Sequence, residues 1–207
     1  SSYLTEVVVK DIIVSGILPE GSLQLICGSA RDLLNNVTSQ DVVTFTGSAT
    51  TGRMLRANPR MIEEAVPFNM EADSLNCSVL GLDAKPGTPD FDIFIKEVHR
   101  EMTAKCGQKC TAIRRLIVPE NYLDEVKKAL ALRLEKTIIG NPLNEEVRMG
   151  ALVGRTQLSE VKEKVADLAK LTPIVYGDLN MVNLVGVDAS CGSFMSPILM
   201  LNERPFD

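Results

Sequence analysis

The chain has 207 residues, 45% of them hydrophobic and 24% charged, with a formal net charge of −5 and a sequence pI near 5.1. That is the composition of one large folded domain or of parts of two, and no low-complexity tract or internal repeat interrupts it. No apolar run reaches the roughly 18 residues that a transmembrane helix needs, and "SSYLTEVVVKDII" is not expected to be a signal peptide, because it has no basic start and carries Glu6 and Lys10 early. Nucleic-acid binding is not expected either: the one dense basic group, Lys105, Lys109, Arg114 and Arg115, is short and has no interleaved aromatics.

In chain order, Leu4, Val7, Val8 and Ile12 recur at helical spacing, which predicts an amphipathic helix over 3–15. "LPEG" breaks it. "SLQLIC" (22–27) reads as a strand, Gly28 as a turn and 30–36 as a short helix. "DVVTFTG" (41–47) is predicted to be a buried strand by its β-branched content, and "SATTGRMLRA" a helix stopped before Pro59. Strand, glycine turn and helix make the unit of a parallel α/β sheet.

"AVPFNMEAD" and "NCSVLG" read as two short strands around a turn. A helix follows over 89–105 with Phe91, Phe94, Ile95 and Val98 on one face, then a strand over 112–119. Residues 120–137 are a further helix, acidic at its start and basic at its end, as the helix dipole favours. Residues 140–150 read as a loop, 156–170 as a helix, and "PIVYGD" and "SPILML" as late strands. The alternation predicts an α/β fold. Both ends of the chain read as cuts within a longer protein.

The five cysteines, Cys27, Cys77, Cys106, Cys110 and Cys191, are odd in number and irregularly spaced, which suggests reduced thiols in a cytoplasmic protein. Cys106 and Cys110 flank "GQK". A zinc site would need more ligands than this pair and His99 supply, and a thioredoxin-type redox pair would be spaced C-x-x-C. Two buried, inert thiols are one reading. A nucleophile is the other: Lys109 is next to Cys110, which falls between a predicted helix and a predicted strand. His99 reads as a surface or half-buried helix residue, so the base would be a carboxylate. Glu71 is the candidate, expected to be partly desolvated at the end of an apolar strand. The turn "FTGSATTG" opens a helix whose N-terminal amides could meet a phosphate.

In order and spacing, "FTGSATTG", "MEADSLN" and "GQKCTA" resemble the aldehyde dehydrogenase superfamily, as does the later "IIGNPLNEEVRMGALV". The resemblance covers essentially the whole chain. Within it, "MEADSLNCSVLG" with "GQKCTAIRRLIVP" looks most like the branch acting on CoA-linked semialdehydes in phenylacetate breakdown, with the benzoyl-CoA branch next.

The resemblance implies parts of two Rossmann-like parallel-sheet domains: 1–71 the end of a cofactor-binding domain, and 72–207 the start of a catalytic one. It implies Cys110 as nucleophile and Glu71 as the base that activates water. It also implies Gly47 and Ser48 at the pyrophosphate of NADP or NAD, with Phe45, Thr51 and Gly52 lining that turn and Gly28 and Ser29 beside the adenosine. Cys106 becomes a bystander. No metal is implied. The expected partner is a small aldehyde, possibly CoA-linked, and the full-length protein is expected to be a homo-oligomer with helix 48–58 in the dimer interface.

The departures are in the Glu motif, where Ala72, Asp73 and Ser74 stand for the family's paired glycines and the loop is shorter. The family's oxyanion Asn would precede residue 1 and its second cofactor Glu would follow Asp207, so residues 1–207 alone are expected to be inactive. The alternatives are a non-catalytic association module and a CoA-acylating enzyme, which would not need Glu71.

Overall fold

The computed structural model describes residues 2–203. The chain divides into two compact units, residues 1–73 and 74–207.

The first unit opens with helix α1 (Ser2–Val14). The helix forms as predicted, but its apolar side is uncovered within the unit: Leu4, Val8, Ile13 and Val14 are all exposed. Residues 22–27 do not form the expected strand; they run without regular structure, with Leu25 and Ile26 exposed. A strand is defined by pairing, and no neighbouring strand among the described residues offers one here. The short helix expected near 30–36 is a 3₁₀ turn, Leu33–Asn36.

Strand β1 (Val43–Gly47) leads into helix α2 (Ala49–Arg56), followed by the short helix α3 (Pro59–Glu63) and strand β2 (Phe68–Ala72). The Ser48 hydroxyl caps α2 by accepting from Thr51 N, and Pro59 sets the first position of α3 after the Asn58 cap. β1 and β2 are parallel, with Phe45 opposite Met70, Thr46 opposite Glu71 and Gly47 opposite Ala72. β1 alternates between half-buried and exposed residues, so it is not the buried strand that its β-branched content suggested.

In the second unit, strand β3 (Asn76–Val79) pairs in parallel with β4 (Ile113–Ile117). Helix α4 (Pro89–Thr103) lies between them in sequence. Thr88 caps it, Pro89 is pre-set for a first helical turn, and Asp90 and Asp92 meet the positive end of its dipole. Its apolar stripe, Phe91, Phe94, Ile95 and Val98, is buried against Leu80, Ala84 and two residues of helix α5 (Leu123–Glu135), Val126 and Leu130. This is the main core. Each fully buried aliphatic side chain in it contributes about 1.5–3 kcal/mol.

Strand β5 (Ile139–Gly140) pairs in parallel with β7 (Leu184–Val185), and β6 (Ile174–Tyr176) runs antiparallel to β8 (Leu199–Met200). Helix α6 (Arg155–Leu168) lies between β5 and β6 in sequence. Among the described residues the sheets are thus four two-stranded pieces, three parallel and one antiparallel. The residues expected to be pure loop, 140–150, begin with β5, and Ile139 also bridges to Met149. None of the described helices is long and apolar enough to cross a membrane.

Candidate active site

In the first unit, the parallel register brings two of the predicted features to one end of the β1–β2 pair. Glu71 stands opposite Thr46, one position from the Gly47–Ser48 turn, at the carboxyl ends of both strands. Ligands of open α/β sheets bind at such ends. Glu71 is exposed, however, not partly desolvated as expected. It is the penultimate residue of β2, and no part of its own unit covers it.

The glycines of the turn serve packing as well as any ligand. A Cβ on Gly52 would stand 2.3 Å from Met70 Sδ, and one on Gly47 2.5 Å from the tip of the Phe45 ring. Phe45 lies between the two, so this ring and Met70 seat α2 on the sheet, and Gly52 is buried there. Gly28, at φ +122°, and Ser29, whose Oγ accepts from Arg31 N at 3.2 Å, lie in an exposed loop.

A dinucleotide phosphate at this turn would need donors. Ser48 Oγ now accepts from Thr51 N at 3.2 Å and donates to Thr51 Oγ1 at 2.9 Å. The Asp73 carboxylate accepts from the Ala49 N–H at 3.1 Å. Among the first-turn amides this leaves the Thr50 N–H without a partner among the described residues. The donor set fits a phosphate: the Ser48 hydroxyl and the Thr50 amide can donate to it, with Asp73 competing for the neighbouring amide.

In the second unit, α4 ends and the chain enters a left-handed turn. Lys105, Cys106 and Gly107 have φ of 51°, 57° and 68°. Two adjacent non-glycine residues in this region cost about 1–3 kcal/mol each, and tethers on both sides hold them. Cys106 Sγ donates to the carbonyls of Gly150 at 3.1 Å and Ala151 at 3.3 Å, and its burial pushes the thiol up from its ordinary value. Gln108 Oε1 accepts from Val153 N at 3.0 Å, and its Nε2 donates to Lys105 O at 3.1 Å.

Cys110 follows in the turn before β4, exposed and free. Its carbonyl accepts from Ser74 Oγ and from Asn76 Nδ2, both at 2.6 Å. Ser74 and Asn76 thus hold the backbone at Cys110, a role that the reading of the sequence did not give them. The only signal was a Ser and an Asn at the start of β3, Ser74 two residues before it and Asn76 its first residue.

Lys109, expected as a cation beside Cys110, is engaged by an acid of α4. Its ammonium is bound to Glu101 Oε1 at 2.7 Å, which compensates the charge. His99 is half-buried on α4, with Nε2 2.8 Å from Thr137 Oγ1, and burial and the nearby Arg133 hold its pKa below the usual imidazole range. All five cysteines are free, and no group of three or more His, Cys, Asp or Glu side chains among the described residues could hold a metal.

The aldehyde dehydrogenase family model matches residues 1–205. The chain is also 42% identical, over 99% of its length, to 3,4-dehydroadipyl-CoA semialdehyde dehydrogenase of Aromatoleum evansii. The chain belongs to the aldehyde dehydrogenase family. It spans 40% of that relative's length. A probable betaine aldehyde dehydrogenase of Schizosaccharomyces pombe is 31% identical over 70% of this chain and 28% of its own. The fold is that of the betaine aldehyde dehydrogenase of Staphylococcus aureus solved in complex with NAD+, at a TM-score of 0.81 and 22% identity, covering 95% of this chain and 38% of that one.

The departures from the family's Glu motif have local uses in this aldehyde dehydrogenase family chain. Asp73 adopts φ 49°, a conformation that glycine takes freely and that Asp tolerates better than most residues. Ser74, the next departure, supplies one of the two donors on the Cys110 carbonyl. Both substitutions are therefore used locally.

Proposed function

We propose that the full-length protein is an NAD(P)-dependent aldehyde dehydrogenase that oxidises a CoA-linked semialdehyde to its acid. In this reading residues 1–71 belong to the cofactor-binding part and 72–207 to the catalytic part. The observation that carries it is the 42% identity, over nearly the whole chain, to a relative named as a CoA-semialdehyde dehydrogenase. The motifs "MEADSLNCSVLG" and "GQKCTAIRRLIVP" support a place in aromatic-acid breakdown.

The Cys110 thiolate adds to the aldehyde carbon, giving a thiohemiacetal whose oxyanion the Cys110 N–H can receive. NAD(P), when bound, would supply the hydride acceptor that this reaction needs. Loss of hydride leaves a thioester on Cys110. Glu71 takes a proton from water, which attacks the thioester carbonyl; the acid departs and the thiolate returns. Its exposure within its own unit leaves Glu71 open to such a water. The Ser48 hydroxyl and the Thr50 amide would hold the cofactor phosphate, with Gly47, Phe45, Thr51 and Gly52 shaping the turn and Gly28 and Ser29 on the adenosine side. The free cysteines support a cytoplasmic setting. Exposed Met54 and Ile62, on α2 and α3, support a homo-oligomer.

The test is aldehyde-dependent reduction of NAD and NADP by the full-length enzyme. Cys110→Ser is expected to abolish turnover. Glu71→Gln is expected to lower steady-state turnover by about a hundredfold or more while leaving a burst of reduced cofactor. Full turnover of Glu71→Gln that depends on added CoA would overturn hydrolysis in favour of acyl transfer to CoA.

A further inference from the structure

Glu101 occupies a costly position. It lies in the last turn of α4, where the carbonyl end of the helix disfavours a negative charge. It is only 8% exposed, and its Oε2 is buried with no hydrogen-bond partner among the described residues. A buried acid with an unpartnered oxygen costs stability. What the arrangement fixes is the position of Lys109, whose Nζ donates to Oε1 at 2.7 Å.

That pair closes the span from 101 to 109 across the left-handed Lys105–Cys106–Gly107 turn, and Cys110 is the next residue in the chain. Cys106 and Gln108 tether the same turn through neutral hydrogen bonds. The Glu101–Lys109 contact is the ionic tether. The other charges facing it are Arg100 of α4, 3.6 Å from Glu101 Oε1 but bound more closely to Glu97 at 2.9 Å, and Arg114 of β4, which reaches beside Gly107. Lys105 lies within the turn itself.

We propose that Glu101 is a positioning residue for Cys110: its carboxylate holds the Lys109 ammonium against the end of α4, fixing the turn before the thiol and compensating the charge of the residue that precedes Cys110 in the chain. The proposal rests on the reading of Cys110 as the nucleophile. It goes beyond that reading in assigning control of the thiol to a residue nine positions upstream. Removing the carboxylate frees the ammonium of the residue next to Cys110 in the chain from its partner, and a cation that can approach a thiol favours the thiolate.

The experiment is the pH profile of iodoacetamide alkylation of the folded chain, each cysteine followed by mass spectrometry and the fold checked by circular dichroism. Glu101→Gln is expected to move the Cys110 profile to lower pH and raise its rate at neutral pH by roughly threefold or more. Lys109→Met is expected to move it the other way, and Lys109→Arg to leave it in place. The double variant should return to within about twofold of the wild-type rate, as coupled residues do in a cycle. A profile that stays fixed in folded variants while the thermal midpoint falls would show an ion pair of purely structural value and end the proposal. If Glu101→Gln does not fold, the Lys109 pair of variants decides alone. The nucleophile reading is judged separately, by whether wild-type Cys110 outpaces the other exposed thiols, Cys27, Cys77 and Cys191.

Discussion

The Asp73 carboxylate accepts a hydrogen bond from the Ala49 N–H at 3.1 Å, tying the end of β2 to the start of α2. Asp73 N also donates to Gly47 O at 3.3 Å, so one residue both continues the strand pairing and satisfies a helix-terminal amide. It does this at φ 49°. Asp73→Ala removes the acceptor and keeps the unfavourable backbone, so we expect a loss of about 1–3 kcal/mol in urea unfolding followed by circular dichroism. Asp73→Asn should stay close to wild type, because Asn accepts the same bond and tolerates the same φ. A Gly at this position should fall between the two.

Leu130 is fully buried between α4 and the rest of the second unit's core. Leu130→Ala removes apolar contact and leaves a void that neighbours such as Phe94 and Val126 can fill only in part. The expected cost is about 2–5 kcal/mol. Ala substitution of exposed Leu132, two residues on and on the opposite face of α5, should cost little. Paired denaturation curves compare the two directly.

His99 is the only histidine, so it alone among side chains ordinarily titrates between pH 5 and 7. Burial and the Arg133 charge hold its folded pKa below the ordinary value, while the unfolded chain keeps that value, about 6.5. Below that pH the unfolded state therefore binds more protons than the folded one. Stability falls as pH drops through the ordinary value and stops falling, on this account, below the folded pKa. Unfolding midpoints at mildly acidic and at neutral pH should differ in wild type, and the difference should shrink in His99→Gln. Glu101, Asp124, Asp178 and Asp188, whose carboxyl pKa values are lowered by hydrogen bonds, act at more acid pH, where their protonation removes stability.

The elements read correctly from the sequence are those whose signal is local and repeated. The stripe Phe91–Phe94–Ile95–Val98 and the buried series Val126–Leu130–Leu134 carry the helical period directly. The β1 turn into α2 announces itself by Gly47 and the Ser48 cap. Residues 22–27 have strand composition, but composition does not supply a partner. Strand β7 has two residues and no pattern to find. Within the candidate site, the types and order of Cys110, Glu71 and the Gly47–Ser48 turn were legible. The Glu101–Lys109 pair was not, because it spans a left-handed turn that no helical or strand period describes. Nor was the exposure of Glu71, which depends on what covers a strand end rather than on the strand's own residues.

Gly140 tests how tightly the small sheets are made. It stands opposite Val185 in β5–β7, and a Cβ there would come within 2.0 Å of Val185 O and 2.8 Å of Val185 N. Both are backbone atoms, so no side chain can turn away to make room. The strands would have to separate, giving up the Asn141 N–H bond to Val185 O, now 3.0 Å, and disturbing Gly140 N to Met149 O, now 3.1 Å. We expect Gly140→Ala to cost about 1–3 kcal/mol and to speed hydrogen exchange at the Asn141 amide. Gly150→Ala is the control, since a Cβ there meets nothing within 4 Å. Equal effects from the two would mean that the alanine side chain, not the β5–β7 approach, sets the cost.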